Sequence, residues 1–217
     1  GQNNKYFSKL YHSAKSSKII VKAIKQNKIW HNLVLNRIFG KHNIYNATIA
    51  SQVAHEIGIK SRTITKSLKN FQGAQRRLEI KTITDNYIWI DDYAHHPSEL
   101  KASIDAVKDK YHDYKLITLF QSPTYSRSQY FEKEFANAIS NSDEVLIAPI
   151  FASARENESQ YTSEMFFNNF KHKKPNSQFI ESRQDFTNAF EKIRANNQKI
   201  ILLTAGAGDI YKWGEGI

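Results

Sequence analysis

The chain has 217 residues, of which 40% are hydrophobic and 24% are charged. These proportions indicate a globular protein with one sizeable core and exclude collagen-like, low-complexity and disordered classes. No apolar run approaches the roughly 18 residues of a membrane-spanning helix, and no signal peptide is expected. Because the chain contains no cysteine, it has no disulfide and no thiolate metal site, which favours a cytoplasmic protein.

The net charge of +10 is concentrated in the first quarter of the chain. Residues 1–55 contain nine Lys or Arg and no acidic residue, whereas residues 56–217 contain 22 basic and 21 acidic residues. A nucleic-acid-binding arm is one interpretation, but the basic residues form no tight cluster and accompany no nucleic-acid motif. A solvated basic face and the end of a larger domain are the others. We therefore expect neither a nucleic-acid nor a membrane partner.

The first third of the chain predicts two strands followed by two helices. The strands are predicted at 18–24 and 29–35, and the helices at 45–57 and 62–71. Gly58 is placed to end the first helix. The polar stretch 72–77 then predicts a domain boundary.

After this boundary, short aliphatic strands alternate with helices of about 10–12 residues. Strands are predicted at 87–92, 116–120, 145–150, 178–180 and 200–204, and helices at 97–111, 131–139, 162–171 and 186–193. This alternation predicts an α/β fold with a mostly parallel sheet and helices on both faces.

Four polar stretches follow predicted strands, at 91–96, 121–127, 151–157 and 205–209. Ligands of parallel sheets bind outside the carboxyl ends of the strands. The sequence therefore predicts a binding site where these four stretches meet.

The densest titratable cluster consists of Asp91, Asp92, His95 and His96. It could bind a metal, although no further His/Asp pair stands at a familiar ligand spacing, or it could bind a ribose and orient a substrate. Alternatively, Asp92 or His96 caps a helix that begins at Pro97. We favour a ligand role for Asp92, and both roles stay open for His96.

Three arginines are candidates for anion binding. Arg76 and Arg77 stand in tandem beside the boundary and suit a phosphate, unless they form a surface pair with Glu79. Arg127 suits a carboxylate or a phosphate, or is a solvated arginine at a helix start. Residues 206–209 (GAGD) are interpreted as a tight turn into a short helix. No GxxxxGK[ST] phosphate loop occurs in the chain, so a cradle for ATP phosphates would come from elsewhere.

Five stretches in order carry a family resemblance: 40–46 (GKHNIYN), 71–79 (FQGAQRRLE), 91–99 (DDYAHHPSE), 120–127 (FQSPTYSR), and 151–157 (FASAREN) with 206–209 after it. From about residue 29 to its end, the chain resembles the Mur ligases of peptidoglycan synthesis, above all the members that add L-alanine to UDP-N-acetylmuramate. The resemblance implies that residues 1–72 are the C-terminal remnant of the central ATP-binding domain. Residues 73–217 then form the Rossmann-like C-terminal domain.

The resemblance also implies a reaction. Members of the family use ATP and Mg²⁺ to convert the muramoyl carboxylate to an acyl phosphate, which the amine of L-alanine attacks. As a fragment without the phosphate loop or metal ligands, the chain is expected to be inactive by itself. Two alternatives are a recycling ligase that attaches a preformed tripeptide, and a non-catalytic nucleotide-binding module derived from the family.

By resemblance, residues divide between an ATP side and a substrate side. Asn43 and Asn46 match asparagines along the adenine, Arg77 an arginine that reaches the nucleotide, and Asp92 a carboxylate on the ribose. The residues expected near L-alanine are Tyr93, His95, His96 and Arg127, with Arg127 on the alanine carboxylate. Two positions depart from the family: Pro123 replaces a common histidine, and Thr124 stands where some members have arginine.

Overall fold

The computed structural model describes residues 38–152, 160–196 and 198–217 fully, and the backbone of residues 6–12, 19–25 and 28–35. Residues 153–157, within the fifth resembling stretch, lie outside the described residues. Contacts divide the chain into two compact units, Gly1–Ala74 and Gln75–Ile217. The identity expected for each unit, a central-domain remnant and a C-terminal domain, stays a prediction at this point.

The first unit contains a three-stranded antiparallel sheet and two helices. The strands are β1 (Tyr6–His12), β2 (Ile19–Lys25) and β3 (Lys28–Leu35), and the helices are α1 (Lys41–Glu56) and α2 (Ser61–Asn70). The predictions of β2, β3 and both helices are confirmed, whereas β1 was not predicted. Helix α1 begins four residues earlier than predicted because Gly40, with a φ of +88°, supplies the turn before it.

The second unit is built on a six-stranded sheet. Its elements in chain order are β4 (Glu79–Ile83), β5 (Tyr87–Asp92), α3 (Pro97–Lys110), β6 (Lys115–Gln121), α4 (Tyr125–Tyr130), α5 (Glu132–Ala138), β7 (Glu144–Ala148), α6 (Ser163–Lys173), β8 (Ser177–Phe179), α7 (Arg183–Arg194), β9 (Ile200–Ala205) and a 3-10 helix (Ile210–Gly214). The strand order is β4-β5-β9-β6-β7-β8. All neighbours are parallel except β4, which pairs antiparallel with β5, so the predicted α/β class is confirmed.

Buried aromatic side chains hold helices against both faces of this sheet. On one face, Phe186 and Phe190 of α7 are fully buried and pack with Trp89 and Leu202 of the strands. On the other face, Phe120 of β6 packs against Phe135 of α5, with ring centroids 5.1 Å apart. Because side chains of a strand alternate between faces, strands covered on both sides are apolar throughout, and this is the pattern that the sequence shows.

Two details of the second unit differ from the sequence predictions. Strand β4 was not predicted, because its alternating polar and aliphatic residues lie half-exposed at the edge of the sheet. The predicted helix over 131–139 is confirmed as α5, whereas the short helix α4, which ends just before Phe131, was not predicted. No helix among the described residues is long and apolar enough to span a bilayer.

Candidate functional site

The carboxyl ends of four neighbouring strands form one polar edge. Strand β9 lies between β5 and β6, and the backbone N–H of Gly206 donates to the Asp92 carbonyl at 3.2 Å. Farther along the edge, the Phe151 N–H donates to the Ser122 carbonyl at 3.0 Å. All four polar stretches therefore begin at this edge, as predicted from the sequence.

Asp91 and Asp92 are consecutive on β5, so their side chains point to opposite faces of the sheet. Asp91 is 1% exposed and pairs with Arg76, whose Nε lies 2.9 Å from Asp91 Oδ2. The Thr204 hydroxyl donates to Asp91 Oδ1 at 2.7 Å, and the Trp89 indole N–H donates to that hydroxyl at 3.1 Å. Asp91 thus holds strands together, and its carboxylate does not converge with that of Asp92.

Asp92 is the titratable group that its surroundings perturb most clearly at this edge. It is 3% exposed, and its carboxylate accepts hydrogen bonds from the Ser103 hydroxyl and the backbone N–H of Ala94. Burial raises its pKa from 3.8 to about 6, against the lowering effects of the Ser103 bond and the Arg77 charge. A buried carboxyl with a displaced pKa at the edge of a sheet is typical of a functional site.

The tandem arginines have different environments. Arg76 is half-buried, and its guanidinium is bonded to Asp91 and to the carbonyls of Gly206 and Gly208. It is therefore committed to the protein, which contradicts its interpretation as a phosphate ligand. Arg77 is exposed, lies 5.5 Å from the Tyr93 ring centroid and acts electrostatically on Asp92, so it is available for an anion.

Tyr93 and His95 form a small cluster beside Arg77. Their rings meet edge to face at 5.2 Å, and His95 Nδ1 lies 3.1 Å from the Tyr93 carbonyl oxygen. Glu99 accepts a hydrogen bond from the His95 backbone N–H at 3.1 Å. The structure thus brings together Arg77, Asp92, Tyr93 and His95. Their contacts with ligands stay predictions.

His96 is the N-cap of α3. Its Nδ1 accepts from the backbone N–H of Ser98 at 3.3 Å, and its ring packs on Phe131 with centroids 4.9 Å apart. Of the two capping candidates, His96 rather than Asp92 fills this role. One ring nitrogen is thereby used, and a substrate contact through the other stays a prediction.

Arg127 lies in the first turns of α4 and is exposed. Thr124, the N-cap of α4, makes no capping hydrogen bond with its side chain. Pro123 is buried, and its carbonyl accepts from the Ser128 hydroxyl at 3.0 Å. These two departures from the family therefore lie directly before the helix that carries Arg127.

Asn43 and Asn46 belong to the first unit, one turn apart on α1. The Asn43 amide donates to the Phe39 carbonyl at 3.0 Å, and Asn46 is exposed. This spacing places both side chains on the same side of the helix. Their contact with an adenine stays a prediction.

Three residues that organise the edge were missed from the sequence: Ser103, Thr204 and Tyr211. Ser103 and Thr204 lie on apolar elements, where a small hydroxyl residue gives no signal of a long-range bond. Tyr211 lies more than 130 positions after Arg76 in the chain, and its ring centroid is 4.5 Å from the Arg76 guanidinium carbon. No local spacing relates such residues, so only the fold could reveal them.

Comparisons with known proteins agree with this architecture. The Mur ligase, glutamate ligase domain matches residues 76–208. The UDP-N-acetylmuramate--L-alanine ligase of Clostridium acetobutylicum is 40% identical over 192 residues, which cover 88% of this chain and 41% of that protein. The Aquifex aeolicus protein of the same name is 35% identical over 179 residues, which cover 82% of this chain and 38% of that protein. Among solved structures, the UDP-N-acetylmuramate-alanine ligase of Thermotoga maritima has a TM-score of 0.75 at 25% identity, over 94% of this chain and 43% of that one.

The parallel sheet with its polar carboxyl edge defines a Rossmann-like α/β domain, and the family match extends over most of it. The chain belongs to the Mur ligase family. It spans about 40% of the length of the relatives described above and corresponds to their C-terminal part.

Proposed function

We propose that the chain is the C-terminal portion of a cytoplasmic, ATP-dependent ligase that joins L-alanine to UDP-N-acetylmuramate in peptidoglycan synthesis. The observation that carries this proposal is the 40% identity, over 88% of the chain, to a relative of that name. Arg77, Asp92, Tyr93 and His95 meet at the edge of the sheet where such a domain binds ligands, and this supports the proposal independently of the identity.

The second unit would contribute to binding of the nucleotide. The exposed guanidinium of Arg77 suits a phosphate because it donates two parallel hydrogen bonds. The Asp92 carboxylate is 3% exposed and accepts hydrogen bonds from Ser103 and Ala94. It can accept a further hydrogen bond, as binding of a ribose hydroxyl requires. These side chains fit ATP. When bound, ATP supplies the phosphoryl group that activates the muramoyl carboxylate.

The substrate side would rest on Tyr93, His95 and Arg127. Arg127, exposed on α4, would hold the carboxylate of the incoming L-alanine through a charge-assisted hydrogen bond. His96 belongs to this group if its second ring nitrogen contacts substrate. By orienting the amine and excluding water, these residues would favour amide formation over hydrolysis of an acyl phosphate.

The first unit would be the end of the central ATP-binding domain, with Asn43 and Asn46 along the adenine. Helix α1 supports this assignment because it is apolar on two sides. Ile44 and Ala47 are buried, whereas Tyr45, Ile49, Val53 and Ile57, spaced four residues apart, are 56–72% exposed. A helix with two apolar sides is typical of the interior of a larger domain. The rest of that domain would supply the phosphate loop and the Mg²⁺ ligands.

The experiment that tests the proposal measures ADP release by the longer natural protein with UDP-N-acetylmuramate, ATP and Mg²⁺. We expect turnover that depends on L-alanine, and no ligation by the 217-residue chain alone. Turnover with the tripeptide alone would assign the chain to a recycling ligase. No turnover with either acceptor would favour a non-catalytic nucleotide-binding module.

A further inference from the structure

We propose that Arg76 is a positioning residue of the candidate site. Its side chain fixes the turn formed by residues 76–78, so that Arg77 lies beside Asp92 and over the ring of Tyr93. The positioning itself is a property of this chain; only the nucleotide as the ligand of Arg77 rests on the proposed function.

The guanidinium of Arg76 is bonded on its edges and stacked on its faces. Nε donates to Asp91 at 2.9 Å, and the two terminal nitrogens donate to the carbonyls of Gly208 at 3.0 Å and Gly206 at 2.7 Å. The ring centroids of Tyr93 and Tyr211 lie 5.1 and 4.5 Å from its central carbon. One side chain therefore joins the end of β5, the turn after β9 and the 3-10 helix.

The backbone around Arg77 needs such a restraint. Arg76 and Leu78 have φ angles of +55° and +47°, the two non-glycine residues with positive φ among the described residues. Such a conformation is unfavourable for a residue that has a Cβ. The Arg76 N–H donates to Glu79 at 2.9 Å, and its carbonyl accepts from the Tyr93 N–H at 2.7 Å, so the turn is held by both backbone and side chain.

The turn directs the side chains of Arg76 and Arg77 to different environments. Arg76 and the 3%-exposed Leu78 point into the protein, while Arg77 between them is exposed. If the turn relaxed to ordinary dihedral angles, Arg77 would leave Tyr93 and Asp92. Lysine at position 76 would keep the charge next to Asp91, but a single ammonium lacks the planar fork that reaches the carboxylate and both carbonyls.

The test uses Asp92 as a reporter of the position of Arg77. The Ser103 hydroxyl, the Arg77 charge and the Ala94 N–H lower the pKa of Asp92, and the Asp91 charge raises it. The carboxyl carbon of Asp92 is followed by NMR from pH 4.5 to 8 in the 217-residue chain and in Arg76→Lys, Arg77→Gln and the double variant. Arg194→Lys is the matched control, because that guanidinium also lies over a ring, Tyr87, at 5.4 Å.

We expect Arg76→Lys and Arg77→Gln each to raise the titration midpoint of Asp92. The double variant should show the midpoint of Arg77→Gln alone, because Arg76 acts through Arg77, and Arg194→Lys should show the wild-type midpoint. An unchanged midpoint in Arg76→Lys would overturn the proposal, as would an additive second increase in the double variant. An unchanged midpoint in Arg77→Gln would overturn it too.

A measurement on the wild-type chain covers the case in which Arg76→Lys does not fold. The Nε–H resonance of Arg77 should shift with the titration of Asp92, and that of Arg76 should exchange slowly with solvent. If the Arg77 Nε–H resonance does not shift during the titration of Asp92, the proposal is overturned. Titration with ADP separates the two proposals: if Arg77→Gln leaves ADP binding unchanged, the nucleotide role fails, whereas the Asp92 midpoints still decide the role of Arg76.

Discussion

Gly206 lies so close to Gln121 that a Cβ on the glycine would stand 2.5 Å from the Gln121 carbonyl oxygen. Gly206 also has a φ of +147°, a conformation that L side chains rarely adopt. The first residue after β9 is therefore a glycine for two reasons, close approach to β6 and backbone conformation. This contact brings the end of β9 next to Gln121 and leaves the Gly206 carbonyl for Arg76.

Gly206→Ala should destabilise the second unit by about 2–4 kcal/mol, because the neighbouring group is backbone and cannot move aside. Gly216→Ala is the control: it has a φ of +79°, and its nearest neighbour, an Arg183 nitrogen, is 4.0 Å from the added Cβ. That variant should lose only about 1 kcal/mol. Urea denaturation of both variants measures the difference, and equal losses would contradict the close-approach argument.

Thr204→Val should be strongly destabilising for its size. The buried Thr204 hydroxyl joins Trp89 to Asp91, so valine leaves an indole N–H without its acceptor and a buried carboxylate without one donor. We expect a loss of about 2–3 kcal/mol. Thr82→Val on edge strand β4 is the control and should change stability by less than about 0.5 kcal/mol. A similar stability for the two variants would show that the Trp89–Thr204–Asp91 chain contributes nothing.

The parts of the fold that sequence predicts best are those set by local periodicity. Strands β5, β6, β7 and β9 are continuous apolar runs, as expected when both faces are covered. Edge strand β4 gave a weak signal for the opposite reason. Helix α4 was missed because it is one short helix whose buried residue is Ser128, so it has no apolar stripe.

The candidate site, too, could be predicted from the sequence only in part. The polar stretches after strands predict where the site lies, and the resemblance selects Arg77 and Asp92. No local pattern indicates that Arg76 is bonded within the protein while Arg77 is exposed. The difference depends on carbonyls about 130 residues away and on two positive φ angles. Whether a tandem arginine faces ligand or protein is decided by the tertiary fold.

Asp92→Asn should stabilise the chain above pH 6. The native pKa of Asp92, about 6, exceeds its ordinary 3.8, so the native state binds the proton more tightly than the unfolded state. Wild-type stability from this group is therefore greatest below pH 4 and falls as the pH rises to 6. Asparagine removes the buried charge, and we expect a gain on the order of 1–3 kcal/mol at pH 8.

The measurement is urea denaturation of wild type and Asp92→Asn at pH 4, 6 and 8. The gain should shrink as the pH falls from 6 to 4, where wild-type Asp92 becomes protonated. Asp109→Asn, at an exposed position on α3, should show no comparable dependence. A gain that is constant with pH would mean that the Asp92 charge does not oppose folding.

His96→Ala should destabilise the second unit by about 0.5–2 kcal/mol, the ordinary effect of losing an N-cap. His96→Asn should recover most of this loss, since an asparagine side chain also accepts from the N–H groups of a first turn. Thermal denaturation of both variants measures the effect. Equal losses in the two variants would assign the contribution of His96 to its contact with Phe131 rather than to capping.

Arg127→Ala in the longer ligase should raise the KM for L-alanine more than the KM for ATP. A charged hydrogen bond to the alanine carboxylate is worth about 1.5–3 kcal/mol, which corresponds to an increase of roughly 10- to 150-fold. Arg194→Ala on α7 is the control and should leave both constants unchanged. Equal increases in the two KM values would argue for a structural effect of Arg127, and an unchanged KM for L-alanine would remove Arg127 from the amino-acid pocket. Because Pro123 and Thr124 differ from the family immediately before α4, this variant also tests whether the helix still presents its arginine to the substrate.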